Sequence, residues 1–219
     1  MTSKDAIFHL SPHLLYPDNH FAPASQHLVD PVEELEEEFQ TRYTVHSLAG
    51  MECVTAFDCG DEDLNDFVIQ EAGLYKQAML AVTYVVEDKQ HQIAAYFSLA
   101  NDKVSITDFN SNSEFNRFRK HRFVQEKRLR SYPAVKLCRL GVDIECRGTG
   151  MGSFLLDFIK TLFVINNKTG CRFITVDAYK AAVPFYEKNG FLPLTSKDNN
   201  EHTKLMYYDL ASNYQENIK

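Results

Sequence analysis

The clearest hydrophobic pattern lies between residues 153 and 163. Phe154, Leu155, Phe158, Ile159, Leu162 and Phe163 recur as one stripe, with Ser153, Asp157, Lys160 and Thr161 opposite. That 3.6-residue period predicts an amphipathic helix. Ala134 to Asp143 (AVKLCRLGVD) predicts a strand before it, separated by the polar turn Ile144-Glu145-Cys146. After it, Thr169-Gly170 ends the connection and Arg172 to Asp177 (RFITVD) predicts another strand. Strand, turn, helix, strand is a β-α-β unit, so the two strands are expected to be parallel neighbours joined by a right-handed crossover.

Upstream, Leu80 to Glu87 and Gln92 to Leu99 flank the polar turn Asp88-Lys89-Gln90-His91 and predict a hairpin. Gly60 to Val68 predicts a helix start: Asp61 caps, acids fill the first turn, and Leu64, Phe67 and Val68 share a face. Residues 102–132 are polar and are expected to be irregular. Downstream, a short helix is expected over Ala181–Lys188. Pro184 is tolerable only in its first turn, and Asn189-Gly190 forms its stop. Phe191 to Leu194 and Lys204 to Leu210 predict closing strands. The pattern is that of an α/β fold: a mixed sheet with flanking helices.

Composition divides the chain in two. Four of its seven prolines (Pro12, Pro17, Pro23, Pro31) fall in residues 1–44. That segment carries a net charge of −6 out of the chain's −7, leaving −1 for residues 45–219. Residues 1–44 are expected to form an acidic extension, and residues 45–219 the domain. The run Pro31 to Phe39 fits either a short helix or a solvated linker. With 44% hydrophobic and 12% aromatic residues in 219, the chain can bury a core without staples, which excludes wholesale disorder. No secretory signal and no run of apolar residues long enough for a membrane span is visible. The five cysteines (Cys53, Cys59, Cys138, Cys146, Cys171) are scattered and odd in number. They are expected to be reduced thiols of a cytoplasmic protein, with no metal site. Overall acidity argues against a dedicated nucleic-acid binder. Yet Arg117, Arg119, Lys120, Arg122, Lys127, Arg128 and Arg130, against Glu126, make a local +6 stretch.

The candidate chemistry sits at the start of the amphipathic helix, in Arg147-Gly148-Thr149-Gly150-Met151-Gly152-Ser153. A helix N-terminus leaves backbone N–H groups without intrahelical partners, and the macrodipole adds partial positive charge. Glycines let an anion approach the backbone, and Arg147 adds a full charge. The turn is therefore suited to a phosphate or pyrophosphate. It is not a nucleoside-triphosphatase loop, which needs Gly-Lys-Ser/Thr, because no Lys is present. The glycine spacing 148, 150, 152 also misses the dinucleotide fingerprint.

The segment resembles the pyrophosphate loop of the GNAT superfamily of N-acetyltransferases, Arg/Gln-x-x-Gly-x-Gly/Ala. Leu140-Gly141-Val142-Asp143 is similar to the family strand that pairs with pantetheine. Phe185-Tyr186-Glu187-Lys188-Asn189-Gly190-Phe191 resembles its later aromatic signature. The resemblance covers about residues 45–210. More narrowly, Phe57-Asp58-Cys59-Gly60-Asp61-Glu62-Asp63-Leu64-Asn65-Asp66-Phe67 and Lys127 to Pro133 resemble the subgroup that includes acetylating toxins of toxin–antitoxin pairs, which modify aminoacyl-tRNA.

The resemblance implies a splayed GNAT-type sheet and transfer of an acetyl group from acetyl-CoA to a primary amine. It implies that the backbone at Leu140, Gly141 and Val142 holds pantetheine and that Arg147, Gly148, Thr149, Gly150, Met151, Gly152 and Ser153 hold the pyrophosphate. It makes Tyr186 the general acid toward the departing thiolate. Many relatives carry Asn where Tyr179 stands, which puts side-chain contact to pantetheine there in doubt. No general base stands out among Tyr96, Ser98, Asp102 and Glu145. Two alternatives stay open: toxin-type acetylation of aminoacyl-tRNA, motivated by the basic stretch, and a CoA-binding regulatory module without turnover. The expected partners are acetyl-CoA and an amine acceptor, with tRNA disfavoured by the net charge, no membrane, and room for a homodimer.

Overall fold

The expected hairpin, β-α-β unit and closing strands join in one sheet. The computed structural model describes residues 39, 41–48, 54–120, 122, 129–165, 169–196 and 200–212, so nearly all of the acidic segment lies outside the described residues. Its strands are β1 (Tyr43–Ser47), β2 (Val82–Asp88), β3 (Ile93–Ser105), β4 (Ser131–Val142), β5 (Phe173–Tyr179), β6 (Leu192–Pro193) and β7 (Thr203–Asp209). They are ordered β1-β2-β3-β4-β5-β7-β6. All neighbours are antiparallel except β4 and β5, which are parallel as the β-α-β reading requires.

Helices cover both faces. Helix α1 (Glu62–Asp66) runs through a π-helical segment (Phe67–Glu71) into α2 (Ala72–Gln77). Asp61 caps α1, accepting from the Leu64 N–H at 3.2 Å. The other helices are α3 (Asn112–Arg119), α4 (Met151–Ile165) and α5 (Val183–Lys188). Strand residues alternate between the faces. Phe97, Leu99, Val135, Leu137, Ile174 and Val176 pack with α4 and with Tyr186 of α5. On the opposite face, α1 and α2 cover Val85 and Tyr96, while α3 covers Val104, Tyr132, Ala134, Phe173 and Tyr207. No helix among the described residues is long and apolar enough to cross a membrane.

Two local readings need correction. Residues 102–132 are not irregular throughout: β3 runs on to Ser105, and α3 follows. Its signal is short. Ser111 caps the helix, accepting from the Glu114 N–H at 3.1 Å, and only Phe115 and Phe118 face the core. Two apolar positions among charges give too weak a period to register.

Lys160 was expected on the polar face of α4 but is 7% exposed. Its ammonium donates to Asp157 Oδ1 at 2.7 Å and to the Asn189 carbonyl at 3.0 Å, and lies 4.7 Å from the centre of the Tyr208 ring. The Asn189 carbonyl belongs to the unsatisfied C-terminal end of α5, so Lys160 ties that helix to α4. Replacing Lys160 with Met is expected to lower unfolding free energy by about 1–3 kcal/mol, as urea denaturation would measure, because a half-buried carbonyl and the Asp157 carboxylate lose their donor.

Candidate functional site

The glycine-rich turn joins the end of β4 to α4. Gly148 and Gly150 have φ of 77° and 89°, and a Cβ at either would meet nothing within 4 Å. Backbone conformation, not lack of room, therefore selects glycine at these two positions, and the space above them is open. Thr149 closes the turn by donating its hydroxyl to the Cys146 carbonyl at 2.7 Å. Phe154 N–H bonds to the Gly150 carbonyl at 3.0 Å, and the N–H groups of Met151, Gly152 and Ser153, at the helix start, have no backbone partner among the described residues. Gly152 differs from the other two: a Cβ there would lie 3.2 Å from the Phe185 ring. Phe185 thus packs the helix carrying Tyr186 against the turn.

Arg147 does not point freely into that space. Its guanidinium donates to the Cys59 carbonyl and lies over Gly60. The same loop is closely knit. Asp58 accepts from the Gly60 N–H at 2.7 Å and from Asn65 Nδ2 at 3.0 Å, and Cys59 N–H bonds to Asn65 Oδ1 at 2.9 Å. These bonds, with Arg147 nearby, hold the Asp58 carboxyl below its usual range. The Asp58–Asn65 segment is therefore the seat on which Arg147 rests.

Below the turn the sheet opens. Strands β4 and β5 pair only at Ala134↔Phe173, Val135↔Ile174 and Lys136↔Thr175, then part. In the register with β3, Ser98 faces Arg139 and Leu99 faces Leu137, so Cys138 is the extra residue of a bulge just beyond the last pair. The backbone of β4 from there to Leu140, Gly141 and Val142 borders the wedge on the side away from β3. Leu140 and Val142 turn their side chains toward the α4 face. Gly141 lies beneath the rings of Tyr96 and Phe57.

Tyr186 is 7% exposed, between the Phe185 and Phe191 rings with centroids at 5.2 and 5.4 Å. Burial pushes its phenol up to about 12. Among the described residues nothing hydrogen-bonds its hydroxyl, so the proton is free for another partner. Tyr179, at the end of β5, is 51% exposed.

The opposite face of the wedge is polar. Lys136 shares a face with Ala134, and Thr175 and Asp177 share one with Phe173. Lys136 Nζ meets Asp177 Oδ2 at 2.5 Å, bridging the strands where they separate. Burial opposes its charge, but the Asp177 hydrogen bond and the nearby carboxylates hold its ammonium above the usual lysine range. Thr175 donates its hydroxyl to Asp102 Oδ2. Cys138 lies among Lys136, Arg139, Asp102 and Asp177, and burial pushes its thiol up, which argues against a nucleophilic role. Sequence had raised Asp102 without a reason to prefer it. Strand pairing supplies the reason, by bringing residues 102, 136 and 177 to one point.

A cleft of about 600 Å³ lies on the other side of the turn, with Phe57, Asp58, Asp88, Asp143 and Glu145 in its walls. Its carboxylates would repel a polyphosphate, which the open glycine turn suits better. Glu145 belongs here, away from the wedge. The described cysteines, Cys59, Cys138, Cys146 and Cys171, are free thiols, and no group of His, Cys, Asp or Glu among the described residues is arranged to hold a metal.

Residues 120–211 match the acetyltransferase (GNAT) domain family. Solved structures share the fold over about four fifths of the chain. A tyrosine-to-phenylalanine mutant of KacT superposes with a TM-score of 0.62 at 22% identity, covering 80% of this chain and 98% of that one. AtaT complexed with acetyl-methionyl-tRNAfMet gives 0.63 at 22% identity, covering 79% and 98%. AtaTR bound with acetyl-CoA gives 0.62 at 21% identity, covering 80% and 97%. Residues 120–211 are thus similar to a GNAT acetyltransferase domain, and the chain shares its fold with KacT and with the AtaT toxin.

Proposed function

We propose that this protein transfers an acetyl group from acetyl-CoA to a primary amine, with Tyr186 as the general acid. The observation that carries this reading is the wedge: it runs from an open, donor-rich helix start to a bulge, with a buried, unengaged phenol on one face and a polar cluster on the other. The residues present fit acetyl-CoA. The N–H groups at Met151, Gly152 and Ser153, and the unobstructed turn at Gly148–Gly150, suit the pyrophosphate. The backbone at Leu140, Gly141 and Val142 suits the amide-bearing arm, as an added strand would. Arg147 contributes charge to the turn while holding the Asp58–Asn65 loop.

Acetyl-CoA supplies the reactive thioester. The chain's part is to fix it beside the amine, which replaces a bimolecular encounter by a positioned one. Tyr186 then gives its proton to the departing thiolate. Calorimetry with acetyl-CoA is the test. Binding is expected, weakened about tenfold by Gly150→Val, because a β-branched residue resists a φ of 89°. Arg147→Ala is expected to weaken it by a similar factor. No heat from acetyl-CoA with the wild-type protein would defeat the proposal, and so would thiol release with no amine acceptor.

A second reading narrows the acceptor to aminoacyl-tRNA, the class whose acetylated product is bound to AtaT. Exposed Arg117 and Lys120 on the α3 side, with Arg130 before β4, favour it. Two members of the basic stretch are otherwise engaged: Arg122 meets Tyr207 Oη at 2.6 Å and Asp209, and Arg119 stacks on Phe115. Lys127 and Arg128 lie outside the described residues. Salt-sensitive binding of charged tRNA, lost in an Arg117→Ala/Lys120→Ala double mutant, is the expected result for this reading. Equal affinity at low and high salt would remove it.

A further inference from the structure

We propose that Asp102 and Asp177 recognise the ammonium group of the acceptor, and that Lys136 holds its place until the acceptor arrives. The inference rests on the acetyl-transfer reading above and specifies its substrate class.

Position comes first. Asp102 on β3, Lys136 on β4 and Asp177 on β5 converge at the last β4–β5 pair, beside the bulge at Cys138. They lie on the face opposite Tyr186, which packs with α4. An acceptor docked here as ammonium must first give one proton to a carboxylate of the cluster or to water; the neutral amine then attacks a thioester in the wedge from one side, while the sulfur departs toward the phenol on the other. Charge comes second. Two carboxylates meet here with one ammonium. Arg139, also near Cys138, is drawn away toward α1: its guanidinium lies 4.4 Å from the centre of the Phe67 ring and 3.9 Å from Asp63 Oδ2. Asp108, raised by burial, lies close enough to feel Asp102 and Asp177, and Lys103 beside it offsets its charge, so the balance is set by Asp102, Asp177 and Lys136. The cluster is thus one cation short.

Exchangeability comes third. The Lys136 and Asp177 side chains are 36% and 45% exposed, so the pair can open into water at small cost. Asp102 is steadied by the Thr175 hydroxyl and does not depend on Lys136 for its orientation. The site therefore suits acceptors that present a primary ammonium without an adjacent carboxylate, such as a polyamine or an amino-acid ester. A free amino acid brings its own negative charge toward Asp102 and Asp177 and is disfavoured.

Calorimetry on the full chain loaded with CoA tests this, using spermidine, glycine methyl ester and glycine as probes. Spermidine or the ester should bind, and glycine at least tenfold more weakly. Asp177→Asn and Asp102→Asn should each weaken the better probe about tenfold, and Asp177→Glu should restore most of the loss. Lys136→Met should tighten binding and lower the KM for amine, because a competitor is gone. A merely structural salt bridge would move in the opposite direction. The inference is overturned by unchanged binding in Asp177→Asn, by weaker binding in Lys136→Met, by glycine binding as well as its ester, or by no heat from any probe. Loss of the acetyl-CoA heat in the wild-type protein would instead overturn the function on which it rests.

Discussion

Tyr186→Phe is expected to lower kcat by about 10²–10⁴-fold, the usual contribution of a positioned general acid. Acetyl-CoA affinity should stay nearly unchanged, because the ring remains and only the hydroxyl is lost. Its buried packing between Phe185 and Phe191 does not depend on the oxygen, and nothing among the described residues bonds to it. Stability should therefore hold, and a thermal melt alongside the kinetics separates lost chemistry from lost fold. The pH profile gives an independent check. An ordinary phenol titrates near 10. Burial raises this one to about 12, so the proton that the thiolate needs stays in place through the alkaline range. Wild-type kcat should then show no falling limb attributable to the phenol between about pH 8 and 10. A limb near the unperturbed phenol value that vanishes in Tyr186→Phe would contradict the buried geometry. Unchanged kcat in the variant would remove Tyr186 from the mechanism.

The parts of this site differ in how they are written in the chain. The turn from Arg147 to Ser153 and the stripe of α4 are contiguous, so spacing alone exposes them. The same holds for Tyr186, seven residues beyond the end of β5. The polar cluster is not contiguous. Residues 102, 136 and 177 meet only because β3, β4 and β5 are adjacent in a particular register, and no local period encodes that. The bulge at Cys138 is equally silent, because it is a mismatch between two strands and not a property of either. Lys160 misled for another reason: a lysine at a polar-face position is normally solvated, and here the carbonyl at the end of α5 and the Tyr208 ring draw it inward. The glycines show the same limit. The sequence marks four of them alike, at 141, 148, 150 and 152, but backbone angle selects two and neighbouring rings select the other two.

That distinction has a large consequence at Gly141. A Cβ built there would lie 2.7 Å from the Tyr96 ring, closer than carbon atoms approach, and 3.2 Å from Phe57, a tight contact. The rings cannot step aside easily. Tyr96 is fully buried, its hydroxyl donates to the Leu64 carbonyl at 2.7 Å, and Phe57 packs edge-on to it at 5.2 Å. Gly141→Ala must therefore displace either α1 or β4. Such overpacking costs roughly 1–3 kcal/mol, and each kcal/mol lowers Tm by about 2–4 °C in a chain of this size. If β4 yields, Leu140 to Val142 move with it, and acetyl-CoA binding should weaken in proportion. Tyr96→Leu in the same chain removes the obstructing ring, so the double mutant should be more stable than the sum of the two single losses, by about 0.5–3 kcal/mol of coupling. Gly148 and Gly150 should show no such rescue from any neighbour, because their cost lies in φ alone. Additive losses at 141 and 96 would mean that the ring does not exclude the methyl group, and that β4 accommodates a side chain at the edge of the wedge.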